Sequence, residues 1–172
     1  MLAHRLAFYK YRCYTGRKAV KKHTTESTLN CGVAQALDVV GDTWSMLIMR
    51  DVFHSVTRFD GLQKSLGIAS NILTARLRKL TDEGILERTE FDESPPRVEY
   101  TPTPKGNELY PVLLTLKRWG DRWQLPANRV RPFQYVHETC GLDTVGKTVC
   151  EHCDAQLTAA TMKRVAVRKR GA

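Results

Sequence analysis

From Cys31 onward, apolar residues recur three and four apart, interrupted by short polar or glycine-bearing breaks. Val33, Leu37 and Val40 form a first helical stripe, Gly41-Asp42-Thr43 breaks it, and Trp44, Leu47, Ile48 and Val52 form a second. Trp44 is assigned to the core, because an aromatic at the start of an apolar stripe is usually packed. Thr57-Arg58-Phe59-Asp60 opens a third helix with Phe59, Leu62 and Leu66 inward, and Gly67-Ile68-Ala69 turns tightly into a fourth. There Leu73, Leu77 and Leu80 make a packing face, while Asn71, Thr74, Ala75, Arg78 and Lys79 fall on the other side. Gly84 stands where that helix has run out. Ile85 to Phe91 and Arg97 to Thr101 then alternate apolar and polar residues about the proline-rich tip Asp92-Glu93-Ser94-Pro95-Pro96. Helix, turn, helix and hairpin, in that order, predict a winged helix-turn-helix.

Beyond the hairpin, Thr103 caps and Pro104 opens one long helix in which Leu109, Val112, Leu113, Leu116, Trp119 and Trp123 recur. A small domain buries only part of such a stripe. The surplus, with Tyr110 alongside, predicts a dimerisation helix and a homodimer. The fold class expected is α+β, mainly α.

Charge refines the picture. The chain has 172 residues and a formal charge of +9, enough length for one good core. Residues 1–30 carry seven basic residues and one acidic, 31–130 thirteen of each, and 131–172 seven and four. The central domain is neutral, so the basic balance alone says little about nucleic acid, and local asymmetry carries the argument. Residues 1–30, where Leu2, Leu6 and Tyr9 can share a helix face, are assigned to a disordered basic arm in preference to a phosphate-binding or targeting segment. Five cysteines without a secretory pattern point to a reducing cytoplasm, and no apolar run is long enough to span a bilayer.

The outward face of the fourth helix has the chemistry of base reading. Ser70 and the uncapped N–H groups around it suit a phosphate, Asn71 offers an amide edge to adenine, and Arg78 a fork to guanine. Thr74 can present a hydroxyl, or a methyl to thymine, and Ala75 shares the face. Arg76 and Lys79 are expected at phosphates on the groove margins, and Arg88 and Arg97 flank the wing toward backbone or minor groove. Taken alone, such a face would be an ordinary solvated one; the preceding turn and following hairpin favour DNA.

Several motifs in order carry a resemblance: an early cysteine at 31, Gly41 to Trp44, Arg58-Phe59-Asp60-Gly61-Leu62, GIASNILTARLRKL from Gly67, Gly84-Ile85-Leu86, Tyr100-Thr101, Lys105-Gly106 and Trp119-Gly120. From Cys31 to Trp123 the chain resembles the HxlR-type regulators of the MarR-like winged-helix group. The resemblance implies a homodimer that binds operator DNA and regulates neighbouring genes, through the Ala69 to Thr81 helix and the wing. Two residues depart from the pattern: Gly32 follows Cys31 where many relatives have proline, and Ala69 stands where many have serine. The first bears on any thiol sensing by Cys31, and the second removes a usual helix cap, a role Ser70 could take.

The tail is a separate motif. His137-Glu-Thr-Cys140 and Cys150-Glu-His-Cys153 have two-residue gaps that let paired ligands reach one tetrahedral ion. Cys140, Cys150 and Cys153 with His137 would hold one structural zinc, with His152 a rival fourth ligand. A metal-free hairpin or a regulatory disulfide are the competing readings. The tail has few apolar residues to hold it otherwise, namely Phe133, Tyr135, Val145, Val149 and Leu157, and Val165 to Ala172 is expected to add a strand and a basic end.

The expected organisation is thus a basic arm (1–30), a winged helix-turn-helix with its dimerisation helix (31–129), and a Cys/His β-hairpin tail (130–172). The expected function is a transcriptional regulator that binds a pseudo-palindromic duplex operator as a homodimer, repression being favoured over activation. The alternatives are a redox or electrophile sensor acting through Cys31 and a zinc-containing interaction module. No nucleophile with its base, carboxylate pair or phosphate loop stands at recognisable spacing, so an enzyme is not expected.

Overall fold

The computed structural model describes residues 31–93, 96–126, 134–144 and 146–163. The basic arm, Cys13, Phe133, Val145 and the expected strand from Val165 lie outside them. The described residues fall into two units that part between Gly41 and Asp42. The first contains α1 (Gly32–Val40), which starts at Cys31 and exposes Val33 and Leu37 of its apolar stripe.

The second unit contains the winged helix. In α2 (Ser45–Phe53), Ile48, Met49 and Val52 turn inward, and Trp44 is half-buried at the helix start. In α3 (Phe59–Leu66) it is Leu62 that is fully buried, with Phe59 and Leu66 half-covered. Gly67, at φ 60°, ends α3 in the left-handed conformation that glycine adopts without strain, and Ile68 anchors the turn in the core. Then α4 (Ser70–Asp82) buries Leu73, Leu77 and Leu80. Gly84 at φ 65° releases the chain into β1 (Leu86–Phe91), antiparallel to β2 (Arg97–Pro102), with Leu86 opposite Pro102 and Phe91 opposite Arg97. An isolated bridge from Arg58 to Glu99 and a bond from Tyr100 N–H to the Thr57 carbonyl (2.9 Å) tie this wing to the start of α3.

Thr103 caps the next helix as expected, its hydroxyl accepting from Gly106 N–H (3.1 Å), but the long helix is two: α5 (Pro104–Asn107) and α6 (Leu109–Trp123). Pro111 supplies the reason. Its nitrogen has no hydrogen to donate to the Asn107 carbonyl, and its ring crowds that carbonyl, so the helix restarts with Pro111 in its first turn. The restart divides the faces of α6. Leu113 turns into the domain's own core and so leaves the expected dimer stripe, and Tyr110 meets Phe53 edge to face at 5.0 Å. On the other side Val112, Leu116, Trp119 and Trp123 are 50–63% exposed, with Leu109 half-buried beside them.

The tail folds back on α2 and α6. Tyr135 stacks on His54 at 5.5 Å, Lys117 Nζ lies 5.2 Å from its ring centre, and Arg118 Nη1 donates to the Gly146 carbonyl at 2.9 Å. Burial, and then the neighbouring Tyr110 and Asp121, push the Tyr135 hydroxyl above its ordinary value, with Arg50 opposing. Strands β3 (Val136–His137) and β4 (Leu142–Asp143) pair antiparallel as a short hairpin.

Gly106 gives a test of this packing. A Cβ there would lie 2.2 Å from the Ile85 carbonyl oxygen, which is backbone and has little room to yield. Gly106→Ala is expected to lower stability by about 1–3 kcal/mol, the usual cost of overpacking, measured by urea unfolding followed by circular dichroism.

Candidate nucleic-acid interface

The rotation of α4 about its axis is set by its three leucines, each 0–1% exposed. Turning them inward places Ser70, Asn71, Thr74, Ala75 and Arg78 outward, all exposed. Ala69 occupies the N-cap position without a side-chain bond, Ser70 does not replace it, and no acid lies in the first turn. The leading N–H groups therefore point out of the domain with the positive end of the helix dipole behind them, the chemistry of a phosphate site. Thr74 Oγ1 donates back to the Ser70 carbonyl at 2.8 Å, which commits its hydroxyl hydrogen to the helix.

The three basic residues of α4 differ in their freedom. Arg78 is 82% exposed, with only a distant 3.8 Å pairing to Asp82. Arg76 and Lys79 are about two-thirds covered and lean on Asp42, with Arg76 Nε 3.3 Å from Oδ1 and Lys79 Nζ 3.8 Å from Oδ2. Asp42 also accepts from Trp44 N–H and Ser45 N–H, both at 3.0 Å, and from the Ser45 hydroxyl at 2.6 Å, so one carboxylate caps α2 and steadies α4. Partial burial alone would raise its pKa, but the Ser45 and Trp44 bonds and the Arg76 charge outweigh it and hold the carboxyl below its ordinary 3.8. Sequence reasoning treats Gly41-Asp42-Thr43 only as a breaker. The signal was present: an aspartate three residues before Ser45, at the start of an apolar stripe, is a helix-start pattern.

The wing's arginines are paired within the wing. Arg88 Nη1 lies 3.0 Å from Glu90 Oε2 at the surface. Arg97 stacks over Phe91 (4.4 Å) and pairs with Glu93 (3.1 Å) and Glu99 (3.3 Å), leaving it 30% exposed. From Glu87 to Glu99 the sequence carries five acidic residues against these two arginines, a count that sequence reasoning left unmade. Surface pairs such as Arg88–Glu90 are weak and can exchange a carboxylate for a phosphate. Arg97, held on three sides, is placed to stiffen the wing. Between helix and wing runs a cleft of ≈ 240 Å³ lined by Thr74, Arg78, Thr81, Asp82, Arg88 and Tyr100, which brings the two freer arginines to one channel.

The four tail residues expected as ligands stand as two pairs, each in its own turn. His137 Nδ1 lies 3.5 Å from Cys140 Sγ, and Cys150 and Cys153 share a turn closed by the bond from Asp154 N–H to the Cys150 carbonyl (2.9 Å). Among the described residues, no three His, Cys, Asp or Glu side chains stand together as a ready-made metal site. Each turn is held by its own backbone bonds. Cys31, half-buried, begins α1 without a side-chain cap bond.

A helix-turn-helix with a polar outward helix, an open helix N-terminus and a following two-stranded wing defines a winged helix-turn-helix DNA-binding regulator. Residues 39–128 match the HxlR-like helix-turn-helix family, and the chain belongs to that family. An uncharacterised HTH-type transcriptional regulator of Mycobacterium tuberculosis is 37% identical over 74% of this chain and 80% of its own length. The crystal structure of PA1607, described as a proposed transcription factor, superposes with a TM-score of 0.72 and 35% identity over 79% of this chain and 94% of that one. The redox regulator HypR in its reduced form gives a TM-score of 0.52 at 32% identity, over 55% of this chain and 94% of its own. These relatives are transcription regulators, not enzymes. Among the described residues no helix is long and apolar enough to cross a membrane.

Asp42 is testable by stability. Because its folded pKa is depressed, its contribution is complete above its unfolded pKa and is lost as pH falls through the lower folded value. Asp42→Ala is expected to cost about 1 kcal/mol near pH 7, as loss of a cap does, and the gap between variant and parent should close as pH falls below 3.8. Thermal unfolding over pH 2.5–7 checks both.

Proposed function

We propose that the chain is a sequence-specific transcriptional regulator, acting in the cytoplasm as a homodimer on a pseudo-palindromic duplex operator. The observation that carries this is the exposed polar face of α4, on which Arg78 is 82% exposed, held in register by buried Leu73, Leu77 and Leu80. In this reading Asn71, Thr74, Ala75 and Arg78 meet base edges. Ser70 and its neighbouring N–H groups meet a phosphate, while Arg76, Lys79 and Arg88 steady the backbone at the margins. Arg97 acts at one remove by keeping the wing straight. Repression is favoured because occlusion of a promoter needs nothing beyond tight occupancy.

The exposed stripe of Val112, Leu116, Trp119 and Trp123 supports the dimer, since two indoles and two aliphatic side chains on one helix face are costly to leave in water. A twofold dimer places its two reading helices about 34 Å apart, one turn of DNA, and so asks for inverted half-sites. Trp119→Glu is expected to give a monomer in light scattering at micromolar protein, and to weaken operator binding more than binding to a single half-site. A parent protein that is itself monomeric and shifts no genomic fragment would sink the proposal.

A second reading, thiol sensing through Cys31, is favoured by the likeness to HypR, a redox regulator solved in reduced and oxidised forms. Operator affinity that responds to oxidant in the parent but not in Cys31→Ser supports it; equal response in both removes it.

Arg78→Ala is expected to lose about 1–3 kcal/mol of discrimination between operator and scrambled DNA, the worth of a bidentate base contact. Arg97→Ala should weaken both DNAs more evenly. Titrations at several salt concentrations separate the two, and equal losses on both DNAs with preference intact would show that Arg78 reads no base.

A further inference from the structure

The tail contains the same turn twice. In the first, His137 to Cys140 close the β3–β4 hairpin, and Gly141 follows at φ 69°. In the second, Cys150 to Cys153 close the bridge between Val149 and Gln156, and Asp154 follows at φ 57°. In both, the N–H of that left-handed fifth residue returns to the carbonyl of the first: Gly141 to His137 at 2.8 Å, Asp154 to Cys150 at 2.9 Å. A left-handed residue is readily accommodated at glycine and uncommon elsewhere, so its recurrence at Asp154 marks a turn whose shape matters.

Each turn presents two metal-type donors on one side. The His137 Nδ1 to Cys140 Sγ separation of 3.5 Å is that of two ligands sharing an ion. Tetrahedral zinc with sulfur at ~2.3 Å and nitrogen at ~2.0 Å sets such a pair about 3.5 Å apart. In the second turn Cys150 N–H donates to the Ala155 carbonyl at 2.9 Å, which with the Asp154 bond sets Cys150 and Cys153 at the two ends of one closed turn. His152 is drawn elsewhere, 83% exposed with Nε2 3.4 Å from Glu151 Oε1. All of the tail cysteines are free of disulfide.

The same segment has little else to hold it. From 134 to 163, no described side chain is buried, and only Tyr135, Cys150 and Leu157 carry half-buried side chains. We propose that one Zn²⁺ ion closes the two turns on each other, ligated by the sulfurs of Cys140, Cys150 and Cys153 and by Nδ1 of His137. The turns are shaped separately and do not converge beforehand, so binding is coupled to ordering of the tail, and the three thiols release their protons as they ligate. Four protein ligands leave no position for water or substrate, which makes the site structural. Through Tyr135 on His54 and the Arg118 bond to Gly146, an ordered tail would brace α2 and α6. The proposal is independent of DNA reading.

The test uses the full chain, reduced and freed of metal, titrated with Co²⁺ and then Zn²⁺. One equivalent of Co²⁺ should give the intense visible bands of a tetrahedral thiolate site, and Zn²⁺ should abolish them. Mass spectrometry after alkylation should show Cys140, Cys150 and Cys153 protected by Zn²⁺ while Cys31 reacts as before. His137→Asn and Cys150→Ser should each weaken Zn²⁺ by more than about tenfold, since losing even an outer partner of a ligand costs that much, and His152→Asn should leave it unchanged. None of these side chains lies in the buried core of the winged helix, so the variants keep that domain folded. Failure of the parent chain to take up either metal, or alkylation of the tail cysteines undiminished by Zn²⁺, would overturn the site. Loss of affinity in His152→Asn but not His137→Asn would overturn the ligand assignment.

Discussion

Everything this domain presents outward depends on how three leucines face inward. Leu73, Leu77 and Leu80 are buried together with Ile48, Met49, Leu62, Ile68, Ile85 and Leu86, the core of the domain. Each fully buried leucine is worth about 1.5–3 kcal/mol relative to exposure, so rotating α4 enough to hide Arg78 would sacrifice most of its own anchorage. The polar face is therefore held ready by packing on the opposite side. That is how a helix whose start lacks a side-chain cap can offer a fixed pattern of polar groups on its outward face.

Electrostatics then divides this surface into working and supporting charges. Asp42 draws Arg76 and Lys79 to the flank of α4, and the wing's glutamates hold Arg97 and, more loosely, Arg88. Arg78 is left the most exposed of the group. A neutral domain can thus leave one cation well exposed without excess charge: acids hold the cations that brace the structure, while Arg78, 3.8 Å from Asp82, stays 82% exposed. The cost is a wing of acidic character.

The C-terminal half follows from one proline. Pro111 breaks the helix after Asn107 and so lets α6 set off in its own direction, with Tyr110 and Leu113 packed on the domain and two tryptophans facing out. The inner edge of α6 also receives the tail, through Lys117 and Arg118. One helix thereby connects the core, the exposed apolar stripe and the Cys/His turns.

The order of elements, the inward leucines, the left-handed glycines at 67 and 84, and the Thr103 cap were all legible in the sequence, because periodicity, turn chemistry and capping act over a few neighbouring residues. The family resemblance rested on the same local motifs, and it held. Tertiary structure alone decided which basic residues are free, because Asp42 and Arg76 are far apart in the chain and meet only when α4 packs beside the start of α2. It also decided that Leu113 belongs to its own core although it shares a helical stripe with Leu116, since a stripe wider than one partner must be divided between two surfaces. Spacing showed the two Cys/His pairs of the tail, while the matching backbone closure of their turns, Gly141 to His137 and Asp154 to Cys150, is seen only in the folded chain. Local rules set which face a residue occupies; what lies opposite that face is a matter of long-range packing, and there the sequence pattern is silent.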